Sequence, residues 1–379
     1  MSFSLQFQIL KFGIAASLCA MLISCKPTPT MNKTESKTMS EFTQNMQTYC
    51  IGRYLVDVPK AFKVGTSQAV GYKRRVVVSS LGKMSKVQFE QKMAQIQALY
   101  LPKKHREGWK FLYETISVSP EIKIFHRLED DMNLLELSRA IEGYRWSNGF
   151  VISMVTKATN ADMEKPESAA MTRDLDRDVP QKITLLTQML AKVQGREANE
   201  IPKEPGFCFE DGFLPGKAGE GKELEIDEEL RAAFFGNKQF PDVGFVFETS
   251  TEFTQDTTLL QGKDLDKLLA VKNASVLRKG AVSLVGTTDT EEWLVHGDTD
   301  NGNLVNGKQP RGHYFKILGN PKFSSPLTPR VELVMRTGKV VRADENSMST
   351  TFESSLSDAQ ALALWDAVSK TIRLREGQK

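Results

Sequence analysis

Hydrophobic and polar positions divide the chain into two successive blocks. Each opens on a short aromatic–cysteine run and closes on an amphipathic helix. In the first block, Tyr49-Cys50-Ile51-Gly52-Arg53-Tyr54-Leu55-Val56 reads as an opening strand and Val76-Val77-Val78 as a second. Phe89, Met93, Ile96 and Tyr100 then recur at three- and four-residue intervals, the apolar stripe of one helix face. Apolar-rich runs over 111–118, 122–127, 134–142 and 150–156 predict strands, and Ile183, Leu186, Leu190 and Val193 align on a closing helix.

The second block opens at Phe207-Cys208-Phe209-Glu210-Asp211-Gly212-Phe213. Strands are predicted over 243–247, 281–286, 293–296, 313–318 and 331–335, with a helix around 265–271. A last helix starts after Ser357, a capping residue, and aligns Leu362, Trp365, Val368 and Ile372. Between the blocks, residues 195–205 are polar and carry Pro202 and Pro205, as a linker should. The fold class is therefore α+β: two domains, 47–194 and 206–379, each a mixed, largely antiparallel sheet with packed helices. The shared aromatic–cysteine opening and terminal helix suggest a divergent duplication, although two unrelated α+β domains can share both features.

The N-terminus changes the picture from fold to location. Phe12-Gly13-Ile14-Ala15-Ala16, after the lone basic Lys11, is too short to span a bilayer and has the form of a secretory signal over residues 1–24. Its end, Leu22-Ile23-Ser24-Cys25, matches a bacterial lipobox, so Cys25 is the expected lipidation site and new N-terminus. An ordinary signal peptide with an incidental Cys25 is the alternative. Lys26 at the following position resembles lipoproteins of the outer membrane. Residues 25–46 are rich in Thr, Ser and Pro and nearly free of large apolar side chains, which predicts a flexible tether.

Net charge and cysteine count narrow the partners. Formal net charge is +3, a near-neutral balance that argues against nucleic acid. With Cys19 removed and Cys25 lipidated, Cys50 and Cys208 remain. Two thiols in an exported, oxidising compartment usually pair, so these two are expected to be bonded; two buried reduced thiols are the alternative.

Local sequence marks out no catalytic set, cofactor site or metal site. Gly216-Lys217-Ala218-Gly219-Glu220-Gly221-Lys222 fits the first part of a phosphate-binding loop, but Glu223 stands where Ser or Thr should hold magnesium. Asp298-Thr299-Asp300-Asn301-Gly302-Asn303 begins like a calcium loop, yet its glycine is one position early and Gln309 replaces the bidentate acid. His105, His126, His296 and His313 are scattered, and each reads as a surface or satisfied sheet residue. Lys73-Arg74-Arg75 reads as a solvated loop. Recognition concentrates on loops, which leaves Glu223, Glu225, Asp227 and Glu228 in one acidic loop, and Asp298, Asp300 and Asn301 in a polar turn, as candidate partner contacts.

The run from Tyr49 to Pro59 resembles the opening of the N-terminal domain in a family of type VI secretion immunity lipoproteins. Gly206-Phe207-Cys208-Phe209-Glu210-Asp211-Gly212-Phe213, Pro241-Asp242-Val243-Gly244-Phe245 and the ending Ile372-Arg373-Leu374-Arg375 are similar to its C-terminal domain. The resemblance implies a two-domain, non-enzymatic inhibitor that binds a cognate phospholipase effector in the periplasm and blocks its active-site entrance. It implies no cofactor and no small-molecule substrate. A structural or assembly lipoprotein of the envelope, a ligand-binding lipoprotein and a hydrolase with a dispersed site are the competing classes.

Overall fold

The computed structural model describes residues 29–64, 70–72, 76–132, 136–160, 177–217, 230–251, 257–262, 267, 269–270, 273–299, 309–320, 325, 328–338 and 353–378. The first element among the described residues is helix α1 (Lys33–Gln44), within the 25–46 segment where a flexible tether was expected. Asn32 and Glu35 form a reciprocal capping box at its start, and Met39 is buried. Phe42 stands edge-on to Phe62 and Phe240, with centroids 5.7 and 5.3 Å away. A few apolar side chains on a polar helix are enough when a formed core receives them.

Strands β1 (Met46–Ile51) and β2 (Tyr54–Pro59) form a tight antiparallel hairpin, and β3 (Phe62–Val64) follows directly. This region was expected to open the first domain. Its apolar face also joins the core of the second: Tyr49, Ile51, Tyr54, Val56, Val58 and Phe62 pack with Phe235, Phe245, Phe315 and Trp365.

The first domain's own sheet is built from β4 (Val70–Tyr72), β5 (Val76–Lys83), β6 (Leu112–Ser119), β7 (Ile122–Leu128), β8 (Ser138–Ser147) and β9 (Phe150–Thr159). The order is β4-β5-β9-β8-β7-β6, with every neighbouring pair antiparallel. Helix α2 (Lys86–Tyr100), capped by Ser85 and Gln88, covers one face with Phe89 and Met93 over Phe125, Tyr144 and Val151. Helix α3 (Val179–Lys192) covers the other, with Leu186 and Leu190 over Ile124, Ile141 and Ile152. Period-two alternation puts adjacent residues such as Ile124 and Phe125 into opposite cores. Gly143 lets α3 settle closely, since a Cβ there would lie 2.5 Å from Leu190 Cδ1. The strand expected over 134–142 is displaced toward the C-terminus, to β8.

A small sheet of β10 (Gln194–Gly195), β11 (Gly206–Phe209) and β12 (Gly212–Pro215), in the order β10-β12-β11, joins the end of the first domain to the start of the second, with Phe207, Phe209 and Leu214 in the first domain's core. Strands β13 (Leu230–Asn237), β14 (Gly244–Ser250), β15 (Ser275–Ala281), β16 (Glu291–Asp298), β17 (Arg311–Gly319) and β18 (Arg330–Arg336) form the large sheet. Its order is β15-β16-β17-β18-β14-β13-β3, so the third strand of the chain closes its far edge. Helix α4 (Asp358–Ser369) lies on the inner face and buries Leu362, Trp365 and Val368, and β19 (Arg373–Leu374) pairs with β2. Along β14 the burial alternates, giving one core face and one half-exposed face.

Two boundaries differ from expectation here. The strand read over 281–286 lies earlier, at β15, because those apolar residues form a turn: Val285 is 68% exposed and Gly286 has φ +86°. Helix α4 stops at Ser369, so Ile372 is buried from the segment beyond it. The helix expected around 265–271 lies largely outside the described residues.

Candidate functional site

Two aromatic–cysteine openings, 158 residues apart in sequence, meet side by side. Cys50 in β1 and Cys208 in β11 form a disulfide with Cα atoms 5.7 Å apart. Backbone hydrogen bonds flank it: Gly52 N–H donates to Cys208 O at 2.9 Å, and Cys208 N–H to Gly52 O at 2.8 Å. Gly52 has φ +57°, and a Cβ there would lie 2.4 Å from Thr249 Oγ1. Only glycine suits both the left-handed backbone and that approach.

Two arginines fix the segment expected to be a linker, and a third ties down the residues beyond it. Buried Arg196 donates to the carbonyls of Gly212 (3.0 Å), Glu200 (2.8 Å) and Cys50 (3.2 Å). Arg375 donates to Pro202, Glu204 and Gly206 at 2.6–2.7 Å, with its guanidinium over the Phe213 ring. Arg53 Nη1 reaches Gly216 O and Gln378 Oε1. A guanidinium's rigid fork of donors suits several carbonyls at once. Burial pulls Arg196 down to about 10. Burial first, then the neighbouring Arg53 and Arg196 charges, does the same to Arg375. The 195–205 segment is thus a welded joint between the sheets.

The expected partner residues are placed only in part. Asp298 ends β16 and pairs across the sheet with Arg311 at 3.3 Å, half-buried. Cys25, Glu223, Glu225, Asp227, Glu228, Asp300 and Asn301 lie outside the described residues, as do Lys73-Arg74-Arg75 and all but the first two residues of the glycine-rich loop. Exposed apolar side chains add a region that sequence reasoning missed. Leu99 and Leu101, at the end of α2, are 66% and 64% exposed, and Met132 is 64% exposed. The Lys103–Asp131 ion pair, at 3.0 Å, brings the two segments to one corner of the first domain.

Two of the scattered histidines do meet. His296 and His313 are directly opposite in the β16–β17 register, and their rings stack with centroids 4.5 Å apart. Both reach the same carboxylate oxygen: His296 Nδ1 lies 2.7 Å and His313 Nε2 3.0 Å from Asp358 Oδ1, in the first turn of α4. Burial, and next the hydrogen bond to Asp358 acting against it, sets His313 at about 4, so its ring is neutral at ordinary pH. Both strands are legible in the sequence; pairing them as a hairpin in register would have found the pair. Among the described residues this is the one group of three side chains of metal-ligating type.

The cluster also contains the order hydroxyl, imidazole, carboxylate, because Ser354 Oγ lies 3.3 Å from His313 Nδ1. It is not arranged as a nucleophile. Ser354 Oγ–H is given to Leu356 O at 2.9 Å, Thr337 Oγ1 is nearer to Nδ1 at 2.8 Å, and the His313 side chain has no exposed surface. A substrate carbonyl could not reach the hydroxyl and the ring together.

This fold is that of solved type VI secretion immunity proteins. The apo structure of immunity protein TplEi from Pseudomonas aeruginosa is 20% identical, with a TM-score of 0.64 over 87% of this chain and 97% of that one. The Tle4–Tli4 complex gives 21% identity and a TM-score of 0.65 over 88% and 98%. TplEi complexed with "L" peptide gives 19% and 0.60 over 88% and 99%. No curated protein sequence matches the chain. Family models resolve the membership: residues 47–196 match the Tle cognate immunity protein 4 N-terminal domain and residues 200–377 its C-terminal domain. The chain belongs to the Tle cognate immunity protein 4 family.

Proposed function

We propose that this protein is a periplasmic inhibitor that binds a cognate type VI secretion phospholipase and occludes it, with no turnover of its own. The observation that carries this reading is the match of both family domains, in order, over 47–377. Relatives of the same fold include one described as a Tle4–Tli4 complex and one complexed with a peptide. A cell that exports a membrane-degrading enzyme to its neighbours' periplasm needs its guard in that compartment. The lipobox at Leu22-Ile23-Ser24-Cys25 supports lipidation at Cys25 and tethering to the outer membrane. Confinement beside a membrane raises effective concentration.

The contact surface we assign draws on both domains. In the second domain it includes Glu223, Glu225, Asp227 and Glu228, with Asp298, Asp300 and Asn301. In the first it includes the exposed corner of Leu99, Leu101 and Met132. Rigid placement of the two domains by the disulfide and the arginine joint removes an ordering cost that a flexible clamp would carry on binding. The test is a pull-down of the mature chain with the neighbouring gene product, followed by Leu101→Asp with Met132→Asp. Retention by the native chain and at least about tenfold weaker retention by the variant are expected, the scale of an interface anchor. No capture by either would overturn the assignment.

A further inference from the structure

The cluster that joins β16, β17 and the start of α4 has the composition and convergence of a transition-metal site. We propose that His296, His313 and Asp358 bind one zinc-class divalent cation, independently of the inhibitory role. Three arguments carry this. First, three ligand-type atoms from three separate elements lie within 4.8 Å of one another. Two imidazoles and a carboxylate with a remaining open position is a common donor set for zinc. The side chains of Asp358 and His296, 31% and 23% exposed, leave a way in, while His313 is sealed.

Second, the surroundings hold the rings as an outer shell would. His313 Nδ1 lies 2.8 Å from Thr337 Oγ1 and 3.3 Å from Ser354 Oγ, and either hydroxyl can take its proton. With a metal in place of the Nε2 proton that Asp358 now accepts, Nε2 offers its lone pair to the ion, the tautomer a ligand needs. His296 Nε2 is buried without a hydrogen-bond partner, so Asp358 at Nδ1 and the stacked His313 ring set the orientation of that ring.

Third, the charges favour a dication. Buried Asp242, held by the N–H groups of Gly338 (3.1 Å) and Ser355 (2.9 Å), adds a second negative charge that is felt at His313. The nearby guanidinium of Arg311 pairs with Asp298. In the metal-free form, protons hold the three groups together at 2.7 and 3.0 Å. Zinc bonds of about 2.0–2.1 Å would require only small shifts of the ligand atoms.

The experiment uses the purified protein stripped with chelator and then titrated with zinc chloride alone and with cobalt chloride alone. One zinc per chain retained through dialysis, with a visible cobalt absorption of a four- or five-coordinate nitrogen–oxygen site, is expected. His296→Gln and Asp358→Asn should each weaken binding at least about a hundredfold, since even outer-shell losses cost about 10–100-fold. Circular dichroism of the metal-free variants establishes that they are folded. Absence of both retained zinc and cobalt absorption in the native chain overturns the proposal. So does equal binding by native chain and folded variants, which would place the metal elsewhere.

Discussion

His126 stacks on Tyr113 in the six-stranded sheet, with centroids 5.3 Å apart and Nε2 buried without a partner. Burial, reinforced by the Arg139 charge, depresses it from 6.5 to about 4. A depressed histidine is neutral in the fold and binds a proton more readily once unfolded. Its contribution is therefore complete above pH 6.5 and is lost as pH falls from 6.5 through 4. We expect denaturant stability to drop across that window, and His126→Phe to recover about 1–3 kcal/mol of the drop. Parallel pH profiles for the two proteins would contradict this. At the junction, Gly52→Ala forces a Cβ toward Thr249 on a left-handed backbone. It should cost about 1–3 kcal/mol in a denaturant melt. Chemistry at this scale was legible only where it needs no geometry. Compartment and count alone pair Cys50 with Cys208, whereas His296, His313 and Asp358 come together through a strand register and a helix start distant in sequence.

Among the elements, those with strong apolar periodicity were legible. The stripe Phe89, Met93, Ile96 and Tyr100 is the packed side of α2, and the Ser357 cap marks the start of α4. Removing that cap with Ser357→Ala should lower stability by about 1 kcal/mol, read from the same melts. Helix α1 was not legible, because its composition is that of a disordered arm and its order comes from docking. Phe42→Ala removes its edge-on contacts with Phe62 and Phe240 and should cost about 2–4 kcal/mol, with faster proteolysis within Lys33–Gln44. Unchanged stability and unchanged cleavage would return the segment to a tether. β15 was misread for a related reason. An edge strand with an irregular register carries little alternation, while the loop and turn after it happen to be apolar, with Leu284 buried and Val285 exposed.

At the scale of the molecule, sequence order suggested two bodies on a linker, and the structure interlocks them. β3 completes the sheet of the second domain, β19 pairs with β2, and buried arginines hold residues 195–205. Pairings this far apart leave no local trace, so the division into two blocks was readable and their interlock was not. Replacing Cys50 and Cys208 together by Ala should cost about 2–5 kcal/mol, the range for loss of a native disulfide. Two melting steps would show that the bridge also couples the domains. Cys25→Ala should release the protein from the membrane fraction or block its maturation; unchanged fractionation with no lipid mass on the mature terminus would remove the anchor.

The central claim is occlusion by one tightly held inhibitor. It is tested most directly by titrating the cognate phospholipase with the mature protein at enzyme concentrations well above the dissociation constant. Residual lipase activity should fall linearly and reach its floor at one inhibitor per enzyme. An endpoint far below one would indicate catalytic inactivation, and full activity at excess inhibitor would contradict the account outright.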